Sequence, residues 1–110
     1  MIEKIVRDYL EEALNVGVYL EIPQGETTFI VLEKTGSFEE NHISRATIAV
    51  QSYGPSLYET AELNVRVINA MKGIIELDDI SDCELNSDYN FTDTETKQYR
   101  YQAVFYITHY

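Results

Sequence analysis

Few residues in this 110-residue chain could act as nucleophiles or bases: it has one Cys, Cys83, and two His, His42 and His109. Cys83 stands between Asp82 and Glu84. Neighbouring carboxylates oppose formation of the thiolate, which is the reactive species. The alternation around Cys83 predicts a small, half-buried strand residue instead. His42 lies in a polar stretch beside Phe38, Glu39 and Glu40, and His109 stands next to Tyr110; neither spacing pairs a base with a nucleophile. The acid-rich stretch from Asp78 to Glu95 raises the question of calcium. Asp88, Asn90 and Thr92 mimic the first three ligand positions of an EF-hand loop, but Asp93 replaces the required Gly and Tyr99 stands at the twelfth position in place of Glu. The five Gly are isolated, so no phosphate-cradling loop is present. Lys97 and Arg100 are the most closely spaced cations near the end of the chain and are expected to be edge charges at the start of a strand. The sequence thus predicts no enzyme, no catalytic residue, no metal ligands and no cofactor.

What remains is the chemistry of contact. Nine residues are Tyr and none is Trp. Within "YRYQAVFYITHY" (99–110) one side reads Tyr99, Tyr101, Ala103, Phe105, Ile107, a core face. The other reads Arg100, Gln102, Val104, Tyr106, Thr108, Tyr110, and turns apolar towards its end. Tyr buries a large area while keeping a polar tip, which suits protein interfaces. Val104, Tyr106 and Tyr110, with Phe38 from the polar stretch, are the candidate subunit-contact residues.

Charge narrows the partners. With 19 acidic against 8 basic residues the net charge is −11. Phosphate binding is driven by Lys and Arg releasing counterions, so neither sequence-specific nucleic-acid binding nor an anionic membrane surface is expected. One Cys permits no internal disulfide and fits a reducing compartment such as a cytoplasm. No apolar run reaches the roughly 18 residues of a membrane span, and the charges in "MIEKIVRDYLEEAL" do not fit a signal peptide.

The elements that must position these residues follow from periodicity. Ile2, Ile5, Val6, Tyr9, Leu10, Ala13 and Leu14 repeat at helical spacing, with Glu3/Arg7, Lys4/Asp8 and Arg7/Glu11 as possible i, i+4 pairs and Gly17 as the stop. Residues 18–22 and 27–34 read as strands around the turn "PQGE", 35–42 as a polar loop, and 43–53 as an alternating strand with Ala46, Ile48 and Val50 inward. A second helix falls within 54–73, opened by the capping pair Ser56 and Glu59. Its apolar surface forms two adjoining sectors, Leu57, Ala61, Val65, Ile68 and Ile75 beside Leu63, Val67, Ala70 and Ile74, so it needs more than one neighbour. A strand near 80–91, a turn at "TDTET" and a closing strand from about 98 complete one domain, residues 1–110. The order α-β-β-β-α-β-β predicts a two-layer α+β sandwich: two helices on one face of a mostly antiparallel sheet.

This layout resembles the tail terminator, or tail completion, proteins of long-tailed bacteriophages and prophages. The resemblance is carried by "IEKIVRDYLEEAL", by "VGVYLEIPQGETTFIVLEKTG" with its Pro-containing turn, by "ATIAVQSYGPSLYETAELNVRVINAM" running from strand into helix, and by "TDTETKQYRYQAVFYITHY", where an Asp/Thr-rich turn leads through Arg100 into the last strand. It covers nearly the whole chain as a pattern of elements, without a catalytic signature. It implies a homo-oligomeric ring, a hexamer in the family, that caps the tail tube, ends its polymerisation and joins it to the head connector. The partners implied are the tail-tube and head-connector proteins, and the location is the virion tail, assembled in the host cytoplasm. A negative lumen would let DNA slide past. Another head–tail joining (neck) protein, or a small-molecule-binding α+β domain with the Tyr-rich face lining a pocket, are the alternative readings.

Overall fold

In the computed structural model, which describes residues 1–110, the chain opens with α1 (Ile2–Leu14). Its stripe Ile2, Val6, Leu10 and Leu14 is buried; Ile5 and Tyr9 pack at its margin and Ala13 is exposed. Of the expected charge pairs only Lys4–Asp8 forms, at 2.6 Å. Arg7 also turns to Asp8, at 3.1 Å. Glu3 reaches Lys34 at 3.8 Å, and Glu11 accepts the Val18 N–H at 3.1 Å. Two of the acids predicted to pair along the helix therefore tie it to the strands instead. The left-handed cap is Asn15 (φ 55°), not Gly17. A Cβ at Gly17 would lie 2.6 Å from the Tyr19 hydroxyl oxygen, so a larger residue there would have to displace the Tyr19 ring.

Five strands follow: β1 (Val18–Tyr19), β2 (Phe29–Glu40), β3 (Ile43–Tyr53), β4 (Ile80–Asn90) and β5 (Arg100–His109), in the sheet order β1-β2-β3-β5-β4. All neighbours are antiparallel except β1 and β2, which run parallel. The first predicted strand shrinks to two residues, and residues 35–40 of the predicted 35–42 loop are strand. β2 and β3 form one long hairpin that turns at Asn41 (φ 52°) and His42 (φ 66°). Two successive positive φ angles match the right-handed twist of a two-residue hairpin, and Asn and His tolerate them better than most side chains.

Between β3 and β4 runs α2 (Leu57–Met71), followed by a 3₁₀ turn at Ile74–Glu76. Ser56 caps α2: its Oγ accepts the Glu59 N–H at 3.2 Å and donates to the Glu59 carboxylate at 2.9 Å. The pair thus meets one orphaned backbone donor, the Glu59 N–H. α1 packs on β1, β2 and α2, and α2 packs on β3, β4 and β5. Both helices lie on the face formed by Ile30, Leu32, Ala46, Ile48, Val50, Ala103, Phe105 and Ile107. Arg66 of α2 donates to the Leu14 carbonyl at 2.7 Å, where a cation complements the negative end of a helix. The α+β sandwich with two helices over one side of a mostly antiparallel sheet is therefore the fold of this chain.

Candidate interaction surface: the helix-free face of the sheet

Cross-strand partners share a face, so the register defines what the helix-free side presents. From the hairpin end, successive rows read Phe38, Arg45, Thr108, Asp82; then Gly36, Thr47, Tyr106, Glu84; then Glu33, Ala49, Val104, Ser87; then Val31, Gln51, Gln102, Tyr89; then Phe29, Tyr53, Arg100. Val104 and Tyr106 thus stand on this face, and Phe38 joins them through Arg45 and Thr108. Tyr110 follows just past the end of β5, its N–H on the Asp79 carbonyl at 3.0 Å. Phe38 is 51 %, Tyr106 47 % and Tyr110 69 % exposed, and Val104 is half-buried. Phe38 reaches this side through a break in register at Thr35. Without that bulge the alternation of Ile30, Leu32 and Lys34 would carry Phe38 to the helix side. Two further breaks, at Ser81 and Asn86 in β4, keep Asp82 and Glu84 on the helix-free side and swing Tyr89 back to it.

The face has two halves. At the hairpin end an open groove of about 480 Å³ is lined by Phe38, Arg45, Thr47, Tyr106, Thr108, Asp82 and Glu84 among others. Arg45 lies 5.6 Å from the Phe38 ring centroid and has no carboxylate within ion-pairing distance. At the opposite end a satellite core closes over itself. Phe29 stacks on Tyr53 at 4.6 Å, and Tyr19 meets Phe29 edge-on at 6.5 Å. Arg100 lies 4.3 Å over Phe91, donates from Nε to the Phe91 carbonyl at 3.0 Å and from Nη1 to the Tyr53 hydroxyl at 3.2 Å. From Tyr53 the bonds continue to Gln51 Oε1 (3.4 Å), from Gln51 Nε2 to Gln102 Oε1 (2.8 Å), and from Gln102 to the Tyr89 hydroxyl. Sequence reasoning missed this row. Arg100 is not an edge charge, because β5 lies between β3 and β4; Lys97 sits in the preceding turn with φ 55°.

The other candidates take ordinary places. No three His, Cys, Asp or Glu side chains converge on a point that could hold a metal ion. Asp88 accepts from Asn64 (3.3 Å), Asn90 takes the Thr92 N–H (3.0 Å), and Asp93 takes those of Glu95 (2.9 Å) and Thr96 (3.4 Å). Asp88 thus ties β4 to α2, Asn90 and Asp93 cap the turn, and the backbone bonds to Asp93 hold its carboxyl below its ordinary range. His42 is the turn residue already described. His109 Nδ1 lies 3.3 Å from the Tyr110 carbonyl. Cys83 lines the helix-side core as expected, and burial, with a smaller effect of Asp82, pushes its thiol up to about 11. At pH 8 the native protein should therefore react with iodoacetamide far more slowly than the urea-unfolded chain, which has an ordinary thiol near 8.5. Equal rates would place Cys83 outside the core.

On the far side of the molecule α2 leaves one of its two apolar sectors open. Leu57 is 43 %, Val65 56 % and Ile75 52 % exposed, while Ala61 and Ile68 are half-buried. The sheet and α1 cover the other sector, Leu63, Val67 and Ile74. No model of a known protein family matches the chain, and no curated protein matches it.

Proposed function

We propose that this chain is a structural, self-assembling protein of the tail-terminator type, which caps a phage or prophage tail tube as a ring and joins it to the head connector. The observation that carries this reading is the helix-free sheet face. It gathers Phe38, Val104 and Tyr106, with Tyr110 beside them, on a broad surface without a helix cover. The open apolar sector of α2 gives the same chain a second contact surface. Two different surfaces on one protomer are what a head-to-tail ring requires. The acidic surface suits a channel that must pass DNA without holding it. A different neck protein of the same junction would use the same surfaces against another partner.

The test is sedimentation of the purified chain over a concentration series, with and without tail-tube protein. Rings, or a smaller species that becomes a ring at tube ends, are expected; a chain that ignores tube ends and forms no ring overturns the reading. Binding to connector but not to tube would assign it to the neck instead. In the double variant Tyr106→Ser, Tyr110→Ser assembly should weaken by about tenfold or more, since aromatic residues dominate interface energetics. The fold should survive, because both side chains are largely exposed. Unfolding of the variant would show that the face is core.

A further inference from the structure

The groove at the hairpin end has a polarity that runs across the strands. Arg45 stands on β3 and Asp82 and Glu84 on β4, with Tyr106 and Thr108 of β5 between them. Two strand spacings, about 10 Å, separate the cation from the carboxylates, and Arg45 has no ion partner within the chain. A second copy turned by 180° about an axis parallel to β5 and lying over it brings β4 of each copy over β3 of the other. Positions along the strands are preserved by that rotation, and Arg45 is level with Thr108 and Asp82. Both cations then face carboxylates, and Tyr106 meets its own counterpart on the axis.

We propose that this face pairs two copies of the chain back to back about that two-fold axis, Arg45 of each meeting Asp82 and Glu84 of the other. The contact is isologous, so each off-axis interaction, the Arg45–carboxylate one included, is made twice. Area allows it: four strands at about 4.8 Å spacing and about ten residues at about 3.3 Å make a face of about 600 Å², close to the roughly 800 Å² per partner of a standard interface. The pairing is a property of the isolated chain. Only its consequence, that the dimer shields the assembly face until a tube end displaces it, rests on the function proposed above.

A charge-exchange series read by sedimentation equilibrium, without tube protein, tests it. The wild type should dimerise, and more weakly as salt rises. Arg45→Glu alone, and Asp82→Lys with Glu84→Lys, each set like charges together at both contacts and should raise the dimer dissociation constant about tenfold or more. Mixing the two variants should restore a one-to-one heterodimer, because each contact then joins opposite charges. Far-UV circular dichroism should match wild type throughout, since all three residues are exposed. A monomeric wild type, insensitivity to either reversal, or variants that do not pair when mixed each overturn the proposal. Ring formation is read separately, by adding tube protein to the wild type, so a failure of the dimer and a failure of the ring are told apart.

Discussion

Replacing Phe105 by Ala should cost about 3–5 kcal/mol, and the same change at the adjacent Tyr106 within about 0.5 kcal/mol. Phe105 lies on β5 between Ile48 and Leu85 and is 2 % exposed. A gap of about 60 Å³ already lies beside it, bounded by Ile68, Met71, Cys83 and Leu85. Truncation would enlarge that gap under α2, and packed neighbours relax into such a space only in part. Against a total stability of about 5–15 kcal/mol, the loss is large enough to leave a measurable unfolded fraction in dilute buffer. Tyr106 points the other way and is 47 % exposed. Urea unfolding measures both, with unchanged slope if only the native state is affected. A one-residue slip of β5 would exchange the two faces and reverse the order of the two effects.

That contrast was legible in the residues, because alternation in β5 has a buried side to report on. The same holds for the stripe of α1, the inward set Ala46, Ile48 and Val50, and the Ser56–Glu59 cap. The hairpin arm was not legible. Residues 33–40 are exposed on both sides of the strand, so no hydrophobic period marks them, and their order comes from backbone pairing with β3. The bulge at Thr35 left no signal either, although it decides which face Phe38 joins. Strand order is a further blind spot: nothing local says that β5 lies inside the sheet and β4 at its edge, so the surroundings of Arg100 could not be foreseen. Of the contact candidates, Val104 and Tyr106 followed from alternation. Arg45, Asp82 and Glu84 became a group only when three strands were laid side by side.

Arg100 therefore carries the other large expected effect. Arg100→Ala should cost about 2–3 kcal/mol, and Arg100→Lys should recover less than half of it. The guanidinium is half-buried on an interior strand, stacked 4.3 Å over Phe91 and 5.8 Å from Tyr53. It donates to the Phe91 carbonyl and to the Tyr53 hydroxyl. No carboxylate lies within 4.0 Å, so charge pairing is not what holds it. The cation–π contact to the part-exposed Phe91 contributes about 0.5–1 kcal/mol, and the part-buried hydrogen bond to Tyr53 about 1.5–2 kcal/mol, the solvent-exposed one to the Phe91 carbonyl adding little. Lys keeps the charge but lacks the flat fork that can stack and donate in two directions at once. Removing the fork also uncovers Tyr53, which is 2 % exposed and anchors the bonds that run through Gln51 and Gln102 to Tyr89. With nine Tyr and no Trp in the chain, urea unfolding followed by tyrosine fluorescence measures the loss. A double-mutant cycle of Arg100→Lys with Phe91→Leu should show a coupling of about 0.5–1.5 kcal/mol. Additive losses would mean that Arg100 acts through its two hydrogen bonds alone, and a neutral Arg100→Lys would mean that charge rather than shape holds the cluster.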